Sequence, residues 1–253
     1  MSNSKAILIA SLILLQASPL LAQVKKPIVV AVIDTGINQS LVNSNFLCKF
    51  GHKDFTGTGM QDRHGHGTNI SGLIDQYVKG IILKPDGSNV KELLSAKANY
   101  CQVILKYYDP KVSGMNNLKN EIDALRYAIN IKVNYINFSG GGLEFDKEEK
   151  ALIKEAIDMG IKVVVAAGNE KSDIDILGHH YYPAYDDPRQ IIVGNLDGKH
   201  RAPTSNYGKS VNTWEQGTNQ YSLIDDRLVG PMTGTSQATA IKSGKLIHEK
   251  LSH

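Results

Sequence analysis

The sequence predicts an α/β fold with a mostly parallel central sheet flanked by helices. Three observations predict it. Five segments are near-continuous apolar runs, the pattern of strands buried on both faces. Segments of helical period lie between several of them. Asp34, Ser139 and Asn169 fall where such runs end, at the strand edge where parallel sheets gather functional groups.

Taken in order, "KKPIVVAVIDTG" enters on charge, turns apolar and closes on an Asp-Thr-Gly turn. "HGHGTNISGLI" puts a histidine just before a helical run. "CQVILKYY", 101–108, is the second strand. "NLKNEIDALRYAINIK" sets Ile122, Leu125, Tyr127, Ala128 and Ile129 at near-helical spacing. "VNYINFSGGG", 133–142, is the third strand. "DKEEKALIKEAIDMG" reads as a helix with Asp146 as N-cap, Glu149 completing a capping box and Gly160 as its stop. "IKVVVAAGNE", 161–170, and "QIIVGNLD", 190–197, are strands four and five, separated by a polar loop over 171–189. "MTGTSQATAIKSGKLIHEKL", 232–251, leads from Gly-Thr-Ser into a closing helix. Strand–helix alternation makes the sheet parallel, with helices on both faces.

Composition sets the frame. The chain has 253 residues, 42% apolar and 21% charged, with a net charge of +3. That suits a globular domain and gives no argument for nucleic acid or an acidic membrane. Lys5, "AILIASLILL" and "QASPLLA" read as a signal peptide over 1–22, with export to the outside or the periplasm. One domain follows over 23–253. Cys48 and Cys101 are either a disulfide or two small buried side chains; spacing alone does not choose.

Four residues could act together. Ser236 stands at a helix N-terminus, among free N–H groups and the positive dipole end. A serine attacks poorly unless a base takes its proton. His66 could be that base, with Asp34 holding its tautomer. The Asn169 amide could donate to an oxyanion.

The motifs resemble those of the subtilisin family of serine proteases. "VIDTGI", "HGHGTNISG", "NFSGGG", "AAGNE" and "GTSQATA" stand in that family's order, and "YPAY", "IIVGNLD" and "TSNYG" are similar to family segments. The resemblance implies a subtilisin-like three-layer fold and peptide-bond hydrolysis through Asp34, His66 and Ser236. Asn169 and the Ser236 N–H would form the oxyanion hole. Ser139, Gly140 and Gly141 would pair with the substrate backbone. Ala166, Ala167 and Gly168 would border the pocket for the residue before the cut, with room for a large apolar side chain. The partner is a protein or peptide substrate. No nucleic acid, no stable membrane partner and a monomer are expected. No cofactor is required and no metal site is assigned; calcium enters by resemblance only.

Some positions depart from the family pattern. Only "QVKK" lies between Ala22 and Pro27, where relatives usually carry a prodomain, so unaided folding is expected. Asn69 replaces a usual histidine, Gln237 a usual methionine and Ala240 a usual proline. The first two are expected to alter substrate fit, the third to leave the last helix straight. Only 17 residues follow Ser236, which implies a trimmed closing region. Two rival readings stand beside the protease: a catalytically impaired peptide-binding relative, and a metal hydrolase using His64 and His66 with Asp62 or the pair His179 and His180. Sequons at Asn38, Asn69 and Asn137 include two in the expected core, which argues against their glycosylation.

Overall fold

In the computed structural model the described residues are 26–253, apart from Leu177, His179 and Asp186. The signal-peptide reading of 1–22 and the His179 half of the histidine pair lie outside them. The strands are β1 (Ile28–Asp34), β2 (Lys53–Asp54), β3 (Tyr100–Lys106), β4 (Tyr135–Phe138), β5 (Lys162–Ala166), β6 (Ile191–Asp197), β7 (His200–Arg201), β8 (Thr213–Gln216), β9 (Gln220–Leu223) and β10 (Val229–Met232). The helices are α1 (His66–Lys79), α2 (Val90–Ser95), α3 (Asn117–Asn130), α4 (Lys147–Asp158) and α5 (Thr235–Leu251).

The main sheet runs β2-β3-β1-β4-β5-β6-β7, with β8 also paired to β6. All its pairings are parallel except β6 with β7. The alternation of β1 shows why the run is apolar throughout. Val30 and Val32 face a core built with Ile70, Leu73 and Ile74 of α1 and Ile241 and Ile247 of α5. Ala31 and Ile33 face the opposite core, with Leu125 of α3 and Ile153 of α4. Helices therefore cover both faces, as predicted, and each face of β1 needs apolar side chains. The order β3-β1-β4 reverses at β1, the switch point at which α/β sheets open their crevices.

Local signals explain most ends. Asp146 accepts from the N–H groups of Glu148 and Glu149, and Gly160 follows α4 with φ +84°. The reciprocal half of the capping box is not made. Glu149 is buried and accepts from the Tyr185 hydroxyl at 2.5 Å instead. Ala240 lies inside an unbroken 17-residue α5. The cysteines are bonded: Cys101 on β3 joins Cys48, Cα–Cα 4.9 Å, across 53 residues. Closing a loop of that length removes about 4 kcal/mol of unfolded-chain entropy. Five strands escaped the sequence reading: the two-residue β2 and β7, then β8, and the β9–β10 hairpin that packs beside α1. Among the described residues no helix is long and apolar enough to cross a membrane. Asn69 and Asn137 are fully buried, as expected of sequons in the core.

Candidate active site

Three strand ends and two helix starts converge. Asp34 closes β1 and is 2% exposed. His66 Nδ1 lies 2.8 Å from its Oδ1 and 3.1 Å from its Oδ2. A carboxylate only accepts, so Nδ1 carries the proton and Nε2 keeps its lone pair. Asp34 Oδ1 also accepts from the Thr35 N–H at 2.7 Å, which fixes the carboxylate plane.

His66 opens α1, and the glycines on either side of it are both demanded by the local structure. Gly65 has φ +88°, a left-handed conformation that side chains resist. A Cβ on Gly67 would lie 2.4 Å from the Gly36 carbonyl oxygen and 3.2 Å from Asp34 Oδ1. Helix and carboxylate approach that closely only over a glycine.

Asp62, which enters the sequence analysis only as a ligand of the rival metal hydrolase, organises this turn. Its Oδ1 accepts from Thr35 Oγ1 (2.9 Å) and from the N–H groups of His64 (3.0 Å) and Gly65 (2.7 Å). Its Oδ2 accepts from the Thr68 N–H (2.8 Å) and hydroxyl (2.6 Å). Burial would raise its pKa, but the bonds from Thr68, Gly65 and Thr35 outweigh that and hold it below the ordinary 3.8. The carboxylate thus caps α1 from outside the helix.

His66 is subject to the same contest. Burial lowers its pKa. The charge and hydrogen bond of Asp34, with the charge of Asp62 behind them, outweigh burial and lift it above the ordinary 6.5.

Ser236 is the second residue of α5 and is 9% exposed. Its hydroxyl donates to the Ser139 carbonyl at 2.7 Å, and Ser139 Oγ donates back to the Ser236 carbonyl at 3.2 Å. Asn137 ties this pair to α5: it donates to Ser139 Oγ (3.0 Å) and accepts from Ser243 (2.8 Å). Asn169, just past β5, accepts the Thr235 N–H on Oδ1 at 3.0 Å. That bond orients the amide and leaves Nδ2 to donate elsewhere. These bonds join Asp34 to His66, Ser139 to Ser236 and Asn169 to the start of α5; the Ser236 hydroxyl is bonded to the Ser139 carbonyl and not to His66.

The walls expected to hold substrate are present. Ser139 is buried, Gly140 half-buried and Gly141 exposed; Ala166, Ala167 and Gly168 are buried. Tyr181 stands beside them. A Cβ on Gly141 would lie 2.6 Å from Tyr181 Cε1, and one on Gly168 2.7 Å from Tyr181 Cδ2. One aromatic ring lies against both walls. Its loop is tied down by Tyr182, which exchanges hydrogen bonds of 2.8 and 3.0 Å with Gly142.

Two departures from the family pattern meet each other. Gln237 Nε2 donates to Asn69 Oδ1 at 3.2 Å, with Asn69 0% and Gln237 2% exposed. Both were expected to alter substrate fit. Both are instead buried in the contact between α1 and α5, the helices that carry His66 and Ser236.

His64 is exposed at the rim, its ring centroid 6.0 Å from that of His66. His180 pairs with the Ile174 carbonyl at 2.8 Å. Among the described residues no three His, Cys, Asp or Glu side chains are grouped to hold a metal ion. The acidic stretch at Asp175 is engaged otherwise: its carboxylate accepts from Lys209 N–H and from Ser210 N–H and hydroxyl.

A mostly parallel α/β sheet with an Asp–His pair at one strand end and a serine at a helix N-terminus has the architecture of a subtilisin-type serine hydrolase. The chain belongs to the Subtilase family, whose family model matches residues 25–248. It is 31% identical over 234 residues to the major intracellular serine protease of Bacillus subtilis, covering 87% of this chain and 67% of that one. It is 29% identical over 214 residues to subtilisin-like protease 2 of Trichophyton tonsurans, covering 84% of this chain. The chain spans less than half of that fungal relative, 45%. A cold-adapted subtilisin-like serine proteinase superposes with a TM-score of 0.66 at 23% identity, over 88% of this chain and 76% of its own. MycP1 without its N-terminal propeptide gives 0.63 at 23%, over 88% and 77%. These two likenesses concern the fold.

Proposed function

We propose that this chain is a serine endopeptidase in which Ser236 attacks the peptide carbonyl, His66 takes its proton and Asp34 stabilises the resulting imidazolium. The observation that carries the reading is the bond between buried Asp34 and half-buried His66, 2.8 Å long, with Ser236 on the adjoining helix α5. A lone N-cap serine needs no such base.

The steps follow from the groups present. A peptide laid along Ser139, Gly140 and Gly141 as an added strand offers its own N–H to the Ser139 carbonyl. The Ser236 hydroxyl, which holds that carbonyl at 2.7 Å in the free protein, is released toward His66 Nε2. Attack places negative charge on the former carbonyl oxygen. The Ser236 N–H, in the first turn of α5 and without an intrahelical acceptor, and Asn169 Nδ2 receive that charge. His66 then protonates the leaving amine, and water repeats the cycle on the acyl-enzyme. Tyr181 between the walls favours a small residue before the cut, in place of the large apolar one expected from sequence. Export is proposed with this reading, and the Cys48–Cys101 bond supports it.

The direct test is labelling with a fluorophosphonate, which reacts with an activated serine hydroxyl. Labelling of the wild type, mapped to Ser236 and lost in His66→Ala, is expected. Absence of labelling in folded protein would overturn the reading.

A further inference from the structure

Lys106 is the last residue of β3 and pairs with Asp34 across the sheet. Its side chain is 0% exposed, which a lysine rarely is unless paired. An ammonium has three donors, and all three are used. Lys106 Nζ donates to the Gly59 carbonyl at 3.0 Å, the Gln61 carbonyl at 2.8 Å and Asp109 Oδ2 at 2.9 Å. Asp109 is also fully buried and supplies the counter-charge. It accepts in addition from the Thr58 hydroxyl at 2.8 Å and the Lys111 N–H at 3.0 Å. Exposed Arg63 lies 3.7 Å from the same carboxylate.

These contacts fall on the segment that leads into Asp62. On one side the segment is bridged to Ile37. The Ile37 N–H donates to the Met60 carbonyl and the Asp62 N–H to the Ile37 carbonyl, both at 3.0 Å. Successive carbonyls of a strand-like segment point opposite ways, so those of Gly59 and Gln61 face away from Ile37. The Lys106 ammonium serves them in place of a neighbouring strand's N–H groups. Gly36 permits the close approach: a Cβ on it would lie 2.4 Å from the Met60 carbonyl oxygen and 3.2 Å from Lys106 Cδ.

A buried ion pair is weak ground for stability, since apolar residues of like volume often serve as well; its better-attested use is to fix register. Register matters at this point. A slip of one residue would turn the Gly59 and Gln61 carbonyls away and carry the Asp62 side chain to the other face. Asp62 would then leave the N–H groups of His64, Gly65 and Thr68.

We infer that Lys106 is a positioning residue for the base: its ammonium, balanced by Asp109, pins residues 59–61 in register, which sets Asp62 under the turn that opens α1 and so sets His66 against Asp34. For its effect on rate the inference rests on the peptidase reading.

Two readouts test it, and one is independent of activity. The first is the titration midpoint of the His66 ring, followed by NMR. Burial lowers that midpoint, while Asp34 and then Asp62 raise it. Removing the Lys106 cation with Asp62 still in place would raise it further, because a positive charge is lost. Displacing Asp62 lowers it, so the sign decides. In Lys106→Met the midpoint should fall by about half a pH unit, a fraction of what a direct ion pair gives. The second readout is kcat/KM on a peptide, which should fall by about tenfold, chiefly in kcat. With Asp62→Asn already present, Lys106→Met should lower the midpoint no further. Should Lys106→Met not fold, Lys106→Gln, neutral but still a donor, is read the same way. A midpoint unchanged or raised in the folded variant, or an equal fall with Asp62 already replaced, would overturn the pin. A lowered midpoint in protein whose wild type cleaves no peptide would keep the pin and remove the peptidase reading.

Discussion

Replacing Asp62 by asparagine tests how the base is held. The carboxylate receives five hydrogen bonds, three from main-chain N–H groups and two from threonine hydroxyls. An amide has one acceptor oxygen. Turned to serve His64 and Gly65, it presents its own N–H to the Thr68 N–H, the third residue of α1. The Thr68 hydroxyl can rotate; the main-chain group cannot. At about 1.5–3 kcal/mol per charge-assisted bond, plus about 0.3–1 kcal/mol for the lost charge at a helix N-terminus, the cost is about 2–4 kcal/mol. For a domain of this size that is a fall of about 5–15 °C in Tm. The pH dependence has a definite sign. The folded pKa of Asp62 lies below 3.8, so its stabilisation is present above that value and is lost as pH falls through the folded pKa. The gap between wild type and Asp62→Asn should therefore hold at pH 5–8 and close below about pH 4. Because the Asp62 charge helps raise the His66 pKa, the acid limb of kcat/KM should also move to lower pH. Calorimetry across pH and a pH–rate profile measure both. A Tm within about 1 °C of wild type and an unmoved acid limb would refute the reasoning.

Three further outcomes follow from the site. His66 must be neutral to act and its pKa is raised, so the acid limb of wild-type kcat/KM should have its midpoint above 6.5; a midpoint below that value contradicts the geometry. The same raised pKa stabilises the fold below 6.5, a contribution lost as pH rises through the folded value. Asn69→Leu and Gln237→Met should each cost about 1–3 kcal/mol in urea unfolding, the pair less than their sum by about 1 kcal/mol; strict additivity would show that the buried amides do not interact. Tyr181→Gly should raise kcat/KM for phenylalanine or leucine before the cut by on the order of tenfold relative to alanine, the scale of burying one large apolar side chain; an unchanged preference would mean the ring does not limit the pocket.

Much of this was legible in the sequence, for reasons that can be located. The five central strands are buried on both faces, so β1 reads as unbroken Ile, Val and Ala. Asp34, His66, Asn169 and Ser236 each sit at an element boundary, where local motifs carry them. β8 and the β9–β10 hairpin were missed because "TWEQ" is half-exposed and polar, and "VGPM" contains a glycine and a proline. The Asn69–Gln237 pair spans 168 residues, and no local pattern announces such a contact. Tyr181 reaches the pocket from an irregular loop, which has no period to read. Glu149 was given a local capping role because the box motif is local; the buried Tyr185 hydroxyl, 36 residues away, claims it instead. Asp62 entered only as a ligand of the rival metal reading, and only the folded chain shows its five donors.

The central claim is that Ser236 does the chemistry, with His66 as its base. Cleavage of casein and of a peptide library by wild type beside Ser236→Ala, with both shown to be folded, tests it most directly. Wild type should cleave, and the variant should lose cleavage by on the order of 10³-fold or more. Equal activity in the two proteins would contradict the account.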